Sequence, residues 1–63
     1  MFKLHYIDTD GEDDKVFSNE AEVISFVNED KEDFYGDEWA EDITDFKEAV
    51  YYLDIRDIEV IEI

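Results

Sequence analysis

Residues 2–17 read FKLHYIDTDGEDDKVF, and this stretch decides the fold. Apolar and polar side chains alternate over its first part, residues 2–7. This period of two predicts a β-strand with one apolar face. The residues on that face are Phe2, Leu4 and Tyr6, and those on the opposite face are Lys3, His5 and Ile7.

The dipeptide Asp10-Gly11 predicts a tight turn after this strand, because both residues readily adopt the backbone conformations of a two-residue hairpin loop. With these residues at the centre of the turn, Tyr6 pairs with Lys15 and Leu4 pairs with Phe17. The apolar face would then continue across both strands of the hairpin.

Two helices are predicted after the hairpin. The first begins at Ser18 or Asn19, and Glu22 stands three residues after Asn19, where it completes a capping box. Its sequence gives it a wide apolar face and a polar outer face. The apolar face consists of Ala21, Val23, Ile24, Phe26 and Val27, and the outer face of Glu22, Ser25 and Glu29.

The second helix is predicted from Thr44 as N-cap, with Asp45 in a first turn where the helix dipole favours an acid. Apolar residues then recur at helical spacing. They are Phe46, Ala49, Val50 and Leu53.

Residues 29–43 between these helices have no clear period. Gly36 ends either the first helix or a turn after it, and Asp37 can cap a short helix that carries Trp39 and Ile43. This segment holds the densest mixture of acids and aromatics in the chain.

Residues 58–63 predict a last strand, with Ile58 and Val60 on one face and Ile61 and Ile63 near the other. Apolar residues on both faces indicate an inner strand or one partly covered by a partner. Together the elements predict a single acidic α+β domain over residues 1–63. It would have a small three-stranded sheet, made of the N-terminal hairpin and the C-terminal strand, with two to three helices packed on one face.

The charge of the chain is extreme, with 21 Asp and Glu against 5 Lys and Arg, a formal net of -16 on 63 residues. Such charge destabilises a compact state, and solubility needs a net charge of only roughly 2 to 8. We therefore expect a basic partner. The alternatives are a disordered acidic chain, adaptation to concentrated salt, or a plainly solvated surface. A hydrophobic content of 44% with 16% aromatics argues against disorder.

Composition and motif spacing argue against an enzyme, a metal site and a bound cofactor. The chain has no cysteine, which removes thiol nucleophiles, thiolate ligands and disulfides and fits a reducing, cytoplasmic location. An EF-hand loop with Gly11 at its sixth position would put Tyr6 and Phe17 where carboxylates are required. The one histidine, His5, is more typical of a sheet surface than of a general base. No segment has the length and apolarity of a membrane span or signal peptide.

Several carboxylates are spaced like phosphates along a nucleic-acid strand. Residues i and i+2 of a strand lie about 6.8 Å apart, and residues i and i+4 of a helix about 6 Å apart. The first spacing describes Asp8, Asp10 and Glu12. The second describes Glu38 with Asp42, Glu41 with Asp45, and Glu29 with Asp33, with Asp30 and Asp37 extending the same face.

In size, acidity and interleaved aromatics, the chain resembles phage-encoded inhibitors that mimic DNA: anti-CRISPR proteins, uracil-DNA glycosylase inhibitors and anti-restriction proteins. The resemblance to anti-CRISPR proteins implies action in the host cytoplasm on a CRISPR nuclease, at the Arg-lined pocket that reads the duplex flanking its target. Neither direct nucleic-acid binding nor membrane binding is expected. An acidic antitoxin, or a structural protein that associates through Ile61 and Ile63, is the alternative.

The predicted partner-binding site is the segment richest in acids and aromatics, because charged rims steer association and aromatic side chains anchor it. The alternative is that Phe34 and Trp39 only complete a small core. The predicted site consists of Asp30, Glu32, Asp33, Tyr35, Asp37, Glu38, Trp39 and Glu41.

Overall fold

The computed structural model describes residues 1–7 and 14–63. In these ranges the chain forms three strands, two α-helices and one short 3-10 helix. The elements in chain order are β1 (Phe2–Tyr6), β2 (Lys15–Phe17), α1 (Glu20–Phe34), the 3-10 helix (Gly36–Trp39), α2 (Phe46–Ile55) and β3 (Ile58–Glu62).

The three strands form one antiparallel sheet in the order β2-β1-β3. This confirms the predicted α+β class, the three-stranded sheet and its assembly from an N-terminal strand pair and a C-terminal strand. The prediction that β3 is an inner strand is wrong, because β1 pairs with both other strands and leaves β3 at an edge. Cover of β3 by a partner stays a prediction.

The predicted pairing of β1 with β2 is wrong by two residues. Phe17 lies opposite Phe2, and Lys15 lies opposite Leu4. A slip of two residues keeps every side chain on its face, so the alternating pattern fits both registers equally. Contacts outside the hairpin accompany the observed register: Phe17 packs 5.4 Å, between ring centroids, from Phe26 of α1. The predicted turn at Asp10-Gly11 lies outside the described residues.

Helix α1 begins as predicted, with Asn19 as its N-cap. The Asn19 Oδ1 atom accepts a hydrogen bond from the Glu22 N–H at 2.9 Å, and the Glu22 carboxylate accepts one from the Ser18 N–H at 3.5 Å. Val23 and Val27 are fully buried, whereas Ala21, predicted on the same face, is exposed because the helical period turns it away from both valines.

The predicted short helix exists but differs in extent. The 3-10 helix begins at Gly36 and ends at Trp39, so Asp37 lies inside it and Ile43 beyond it. Gly36 has φ +53°, a left-handed conformation that a residue without Cβ adopts at little cost. That conformation ends α1 and starts the short helix in a new direction.

Helix α2 begins one residue later than predicted. Asp45, not Thr44, is its N-cap: the backbone of Asp45 is extended, and its Oδ1 atom accepts a hydrogen bond from the Lys47 N–H at 3.3 Å. An aspartate at this position both satisfies an unpaired N–H group and places negative charge at the positive end of the helix dipole.

The core lies between the two α-helices and the inner face of the sheet, on which Leu4 and Ile58 are buried. On the outer face Val16 remains 52% exposed and His5 is exposed as well. Within the described ranges, neither helix combines the length and the apolar composition needed to cross a membrane. The buried core residues are Leu4, Val23, Val27, Ile43, Ala49, Tyr52, Leu53 and Ile58.

Candidate protein-binding surface

Acids and cations are distributed differently between surface and interior. Among the described residues, every Asp and Glu is exposed except Asp30. Of the cations, Lys31 is only 4% exposed and Arg56 is partly buried. The surface is therefore more acidic than the composition alone implies, because part of the positive charge is held inside.

Lys31 continues the buried stripe of α1 and joins the helix to the following segment. Its ammonium group donates a hydrogen bond of 2.7 Å to the backbone carbonyl of Trp39, the last residue of the 3-10 helix. A cation is favourable at the carbonyl end of a helix, where carbonyl groups lack helical partners. Lys31 thus stabilises the position of the acidic 3-10 helix against α1.

Asp30 is an internal residue that links α1 to α2. Its Oδ2 atom accepts hydrogen bonds from the Tyr52 hydroxyl at 2.6 Å and from the Arg56 Nε–H at 2.9 Å. The Asp30 side chain is only 12% exposed and that of Arg56 is 23% exposed. Asp30 was predicted to contact a partner; its carboxylate is engaged within the fold, and a contact of Asp30 with a partner stays a prediction.

The same contacts alter the protonation of both partners of Asp30. Burial, the hydrogen bond to Asp30 and its negative charge all raise the pKa of Tyr52 above its ordinary value. Burial by itself would lower the pKa of Arg56, but its hydrogen bond and ion pair with Asp30 outweigh this effect and raise it. The group therefore holds one negative and one positive charge and one neutral hydroxyl at neutral pH.

The aromatic residues in and beside the predicted site fall into two groups. Tyr35 and Trp39 are partly buried and pack edge-to-face on Tyr52, at centroid distances of 5.9 and 5.3 Å. Phe34 is 61% exposed, and the Arg56 guanidinium lies 3.4 Å from its ring centroid. Trp39 therefore does support the core, whereas Phe34 does not complete it.

Five acids of the predicted site are exposed on one continuous stretch of chain. Two lie in the last turn of α1, two in the 3-10 helix, and one just beyond it. Lys31 and Gly36 fix the position of the 3-10 helix relative to α1. We call this set the acidic segment. Its residues are Glu32, Asp33, Asp37, Glu38 and Glu41.

The phosphate-like spacing holds on α1 but not beyond it. Glu29 and Asp33 share its exposed face at i and i+4, about 6 Å apart along the axis. The pairs Glu38 with Asp42 and Glu41 with Asp45 were predicted on a helix and are not, because residues 40–45 contain no helical residue. The spacing predicted for Asp8, Asp10 and Glu12 lies outside the described residues.

Asn28 anchors the loop that follows the acidic segment, and no role for it was predicted from the sequence. Its side-chain amide donates to the Ile43 carbonyl at 2.9 Å, and its Oδ1 atom accepts from the Ile43 N–H at 2.8 Å. Polar residues at 28, 30 and 31 occupy positions near the buried stripe set by Val23 and Val27. Polar residues on the buried side of a helix need hydrogen-bond partners inside the protein, so the spacing of these residues was the signal that could have indicated the role of Asn28.

On the outer face of the sheet, His5 and Lys3 surround one carboxylate. Asp14 Oδ1 lies 2.7 Å from His5 Nδ1, and Asp14 Oδ2 lies 3.8 Å from Lys3 Nζ. The described residues include no cluster of side chains suited to hold a metal ion and enclose no ligand-sized cavity. His5 thus lies on the sheet surface, beside a carboxylate that also faces Lys3.

No protein-family model, curated protein or solved structure matches this chain. Its function is therefore inferred from its own surface chemistry.

Proposed function

We propose that this protein is an inhibitor that binds the basic nucleic-acid-binding surface of a host defence nuclease by mimicking DNA. The target we favour is a CRISPR nuclease, blocked where it recognises target DNA. The observation that carries the proposal is the separation of charge: the described acids other than Asp30 are exposed, while Lys31 and Arg56 are held inside.

The chemistry of nucleic-acid recognition supports this choice of partner. DNA-binding surfaces present Lys and Arg to phosphates, and binding depends on neutralising those charges. Carboxylates form the same short, charge-assisted hydrogen bonds with guanidinium groups that phosphates form. A net charge of -16 would also steer a basic protein toward this chain while repelling nucleic acid itself.

The acidic segment surrounds the best candidate for a contact anchor. Phe34 is 61% exposed. Acids of α1 precede it in the chain, and acids of the 3-10 helix follow it. Its ring is backed by the Arg56 guanidinium, which is itself fixed by Asp30. An aromatic side chain held in one position loses little entropy on binding and supplies apolar area at the centre of a charged rim.

A competition assay tests the proposal. Labelled duplex DNA is bound to each member of a panel: an RNA-guided nuclease, a uracil-DNA glycosylase and a restriction enzyme, the last two being the alternative targets. We expect the chain to displace duplex from one of them and to bind no duplex itself. Binding of duplex and chain to the same target at the same time would refute mimicry.

A pair of charge-matched variants locates the surface. Asp33→Lys with Glu38→Lys alters the acidic segment, and Glu48→Lys with Asp54→Lys makes the same charge change on the exposed side of α2. We expect the first variant to weaken binding at least tenfold and the second less than about threefold. Equal weakening would show that only total charge matters and would move the interface away from the acidic segment.

A further inference from the structure

Strand β3 forms an edge of the sheet with a well-defined hydrogen-bond pattern. The Ile63 N–H donates to the Met1 carbonyl at 2.9 Å, and the Ile7 N–H donates to the Asp57 carbonyl at 3.0 Å. Hydrogen-bonded and non-hydrogen-bonded pairs alternate along antiparallel strands. The odd-numbered residues from 57 to 63 therefore direct their backbone groups toward β1.

The even-numbered residues of β3 must then direct theirs the other way. Val60 and Glu62 lie opposite Leu4 and Phe2 in non-hydrogen-bonded pairs, so their N–H and C=O groups point to the open edge. Within residues 1–7 and 14–63, no strand pairs with this edge. A row of unpaired donors and acceptors is a template for one further strand.

The side chains along this edge restrict which strand can add. The uncovered face of the sheet carries the side chains of Glu59, Ile61 and Ile63, of which Ile63 is 60% exposed and Ile61 partly exposed. Strand β3, IEVIE, has no Lys or Pro, and its two charged residues are acids, which disfavour a neutral or acidic strand at this edge but not a basic one. The edge is thus apolar and negative rather than blocked.

A second copy of this chain is a poor occupant. Pairing two β3 strands would place the acids Glu59 and Glu62 of both copies on one short strand pair, between molecules that each carry -16. Like charges on adjacent strands are destabilising, and the overall repulsion adds to that cost. A strand with Lys or Arg on the uncovered face of the sheet would instead gain from Glu59, which lies on that face opposite His5.

We infer that the edge of β3 accepts an extended segment of the target protein, in which Lys or Arg alternates with β-branched residues. This deepens the proposed function and rests on its basic partner. Backbone hydrogen bonds to Val60 and Glu62 provide affinity, while cationic side chains on the uncovered face, beside Glu59, provide selectivity. The target is then held by two parts of the chain, the acidic segment and this edge.

The test uses a synthetic eight-residue peptide that alternates Lys with Val and Thr, titrated into the full chain and followed by amide NMR. A second peptide has the same sequence, with N-methyl groups on alternate residues on its pairing side. Methylation removes the ladder donors and keeps the charge. We expect slowed amide exchange at Val60 and Glu62 with the first peptide, and at least tenfold weaker binding of the second.

Two variants of the chain provide the matched control. Glu62→Pro removes an N–H that no bond within β3 and β1 uses, and proline is tolerated at such edge positions. Glu62→Gln makes the same charge change and keeps that N–H. We expect a loss of at least tenfold in peptide binding for E62P and less than threefold for E62Q. If E62P fails to fold, the comparison of the two peptides still decides the question.

Equal binding of the two peptides, or equal loss in the two variants, would overturn strand addition and leave only charge attraction. A dimer that E62P abolishes would overturn it in favour of a second copy. The proposed function fails separately: if the chain displaces no duplex in the competition assay while methylation still weakens peptide binding, the edge site stands without mimicry.

Discussion

Replacing Asp30 by Asn sets two electrostatic effects against each other, and their signs are opposite. Removing one of 21 acids from a chain of net charge -16 relieves repulsion and by itself should stabilise the fold. The same change weakens two hydrogen bonds inside the protein, those from Tyr52 at 2.6 Å and Arg56 at 2.9 Å. The sign of the change in unfolding free energy therefore shows whether Asp30 acts mainly as one more repelling surface acid or as an internal hydrogen-bond acceptor.

The magnitude follows from the contacts. A hydrogen bond to a charged group contributes roughly 1.5–3 kcal/mol and a neutral one roughly 0.5–1.5, so each of the two bonds loses about 1 kcal/mol. Asp30→Asn also leaves the partly buried Arg56 without its counter-ion. We expect a net loss of about 2 kcal/mol. For a domain of this size that is a decrease in Tm of roughly 8–16 °C.

The matched control is Asp33→Asn, three residues further along the same helix. Asp33 is exposed and loses the same charge, so we expect its unfolding free energy to change by no more than about 0.5 kcal/mol. Urea unfolding followed by circular dichroism measures both variants against the wild type. If Asp30→Asn were as neutral as the control, or stabilising, the assignment of Asp30 to the interior would be refuted.

Two further predictions concern pH and salt. The folded-state pKa of Tyr52 is raised, so the folded chain retains a proton that the unfolded chain releases above about pH 10. The free energy of unfolding should therefore fall as pH rises from there. This fall should disappear in Tyr52→Phe. Ultraviolet titration should show a phenol that ionises above the ordinary tyrosine range in the wild type and is missing from Tyr52→Phe, and an equal absorbance change at high pH in the two proteins would contradict this. Raising NaCl at pH 7 from 0.1 to 1 M shortens the Debye length from about 10 to about 3 Å and so screens the repulsion among the acids. The Tm should therefore rise. It should rise less in the Glu48→Lys, Asp54→Lys variant. A Tm independent of salt would show that repulsion among the acids does not limit stability.

The sequence predicts the elements of this fold well because local rules govern them. Alternation defines β1, and the side-chain cap of Asn19 defines the start of α1. The pairing of β1 with β2 was not predicted correctly, because a slip of two residues preserves the buried face. Contacts with α1, such as that of Phe17 with Phe26, lie outside the hairpin and are invisible to its pattern.

The candidate site was predicted in part for a similar reason. Exposure of acids such as Asp33 and Glu38 follows from composition and from their positions off the apolar stripe. The internal role of Asp30 depends on Tyr52 and Arg56, which lie 22 and 26 residues away in the chain. No local rule brings those residues together, because their proximity results from the packing of α1 against α2.

The placement of Lys31 and Arg56 bears directly on whether the acidic surface is incidental. A chain that needed only solubility would gain stability by exposing its few cations among its many acids, where each would reduce repulsion. Instead, two of the five cations are withdrawn from the surface: Lys31 is buried, and Arg56 is paired with Asp30 inside the helix pair, whereas Lys15 and Lys47 are exposed. Burying a charge is unfavourable unless it is well paired, so this arrangement gives up surface neutralisation and adds a desolvation cost. What it provides is a fixed backbone beneath a surface of exposed carboxylates. That is the property a basic nucleic-acid-binding site would recognise.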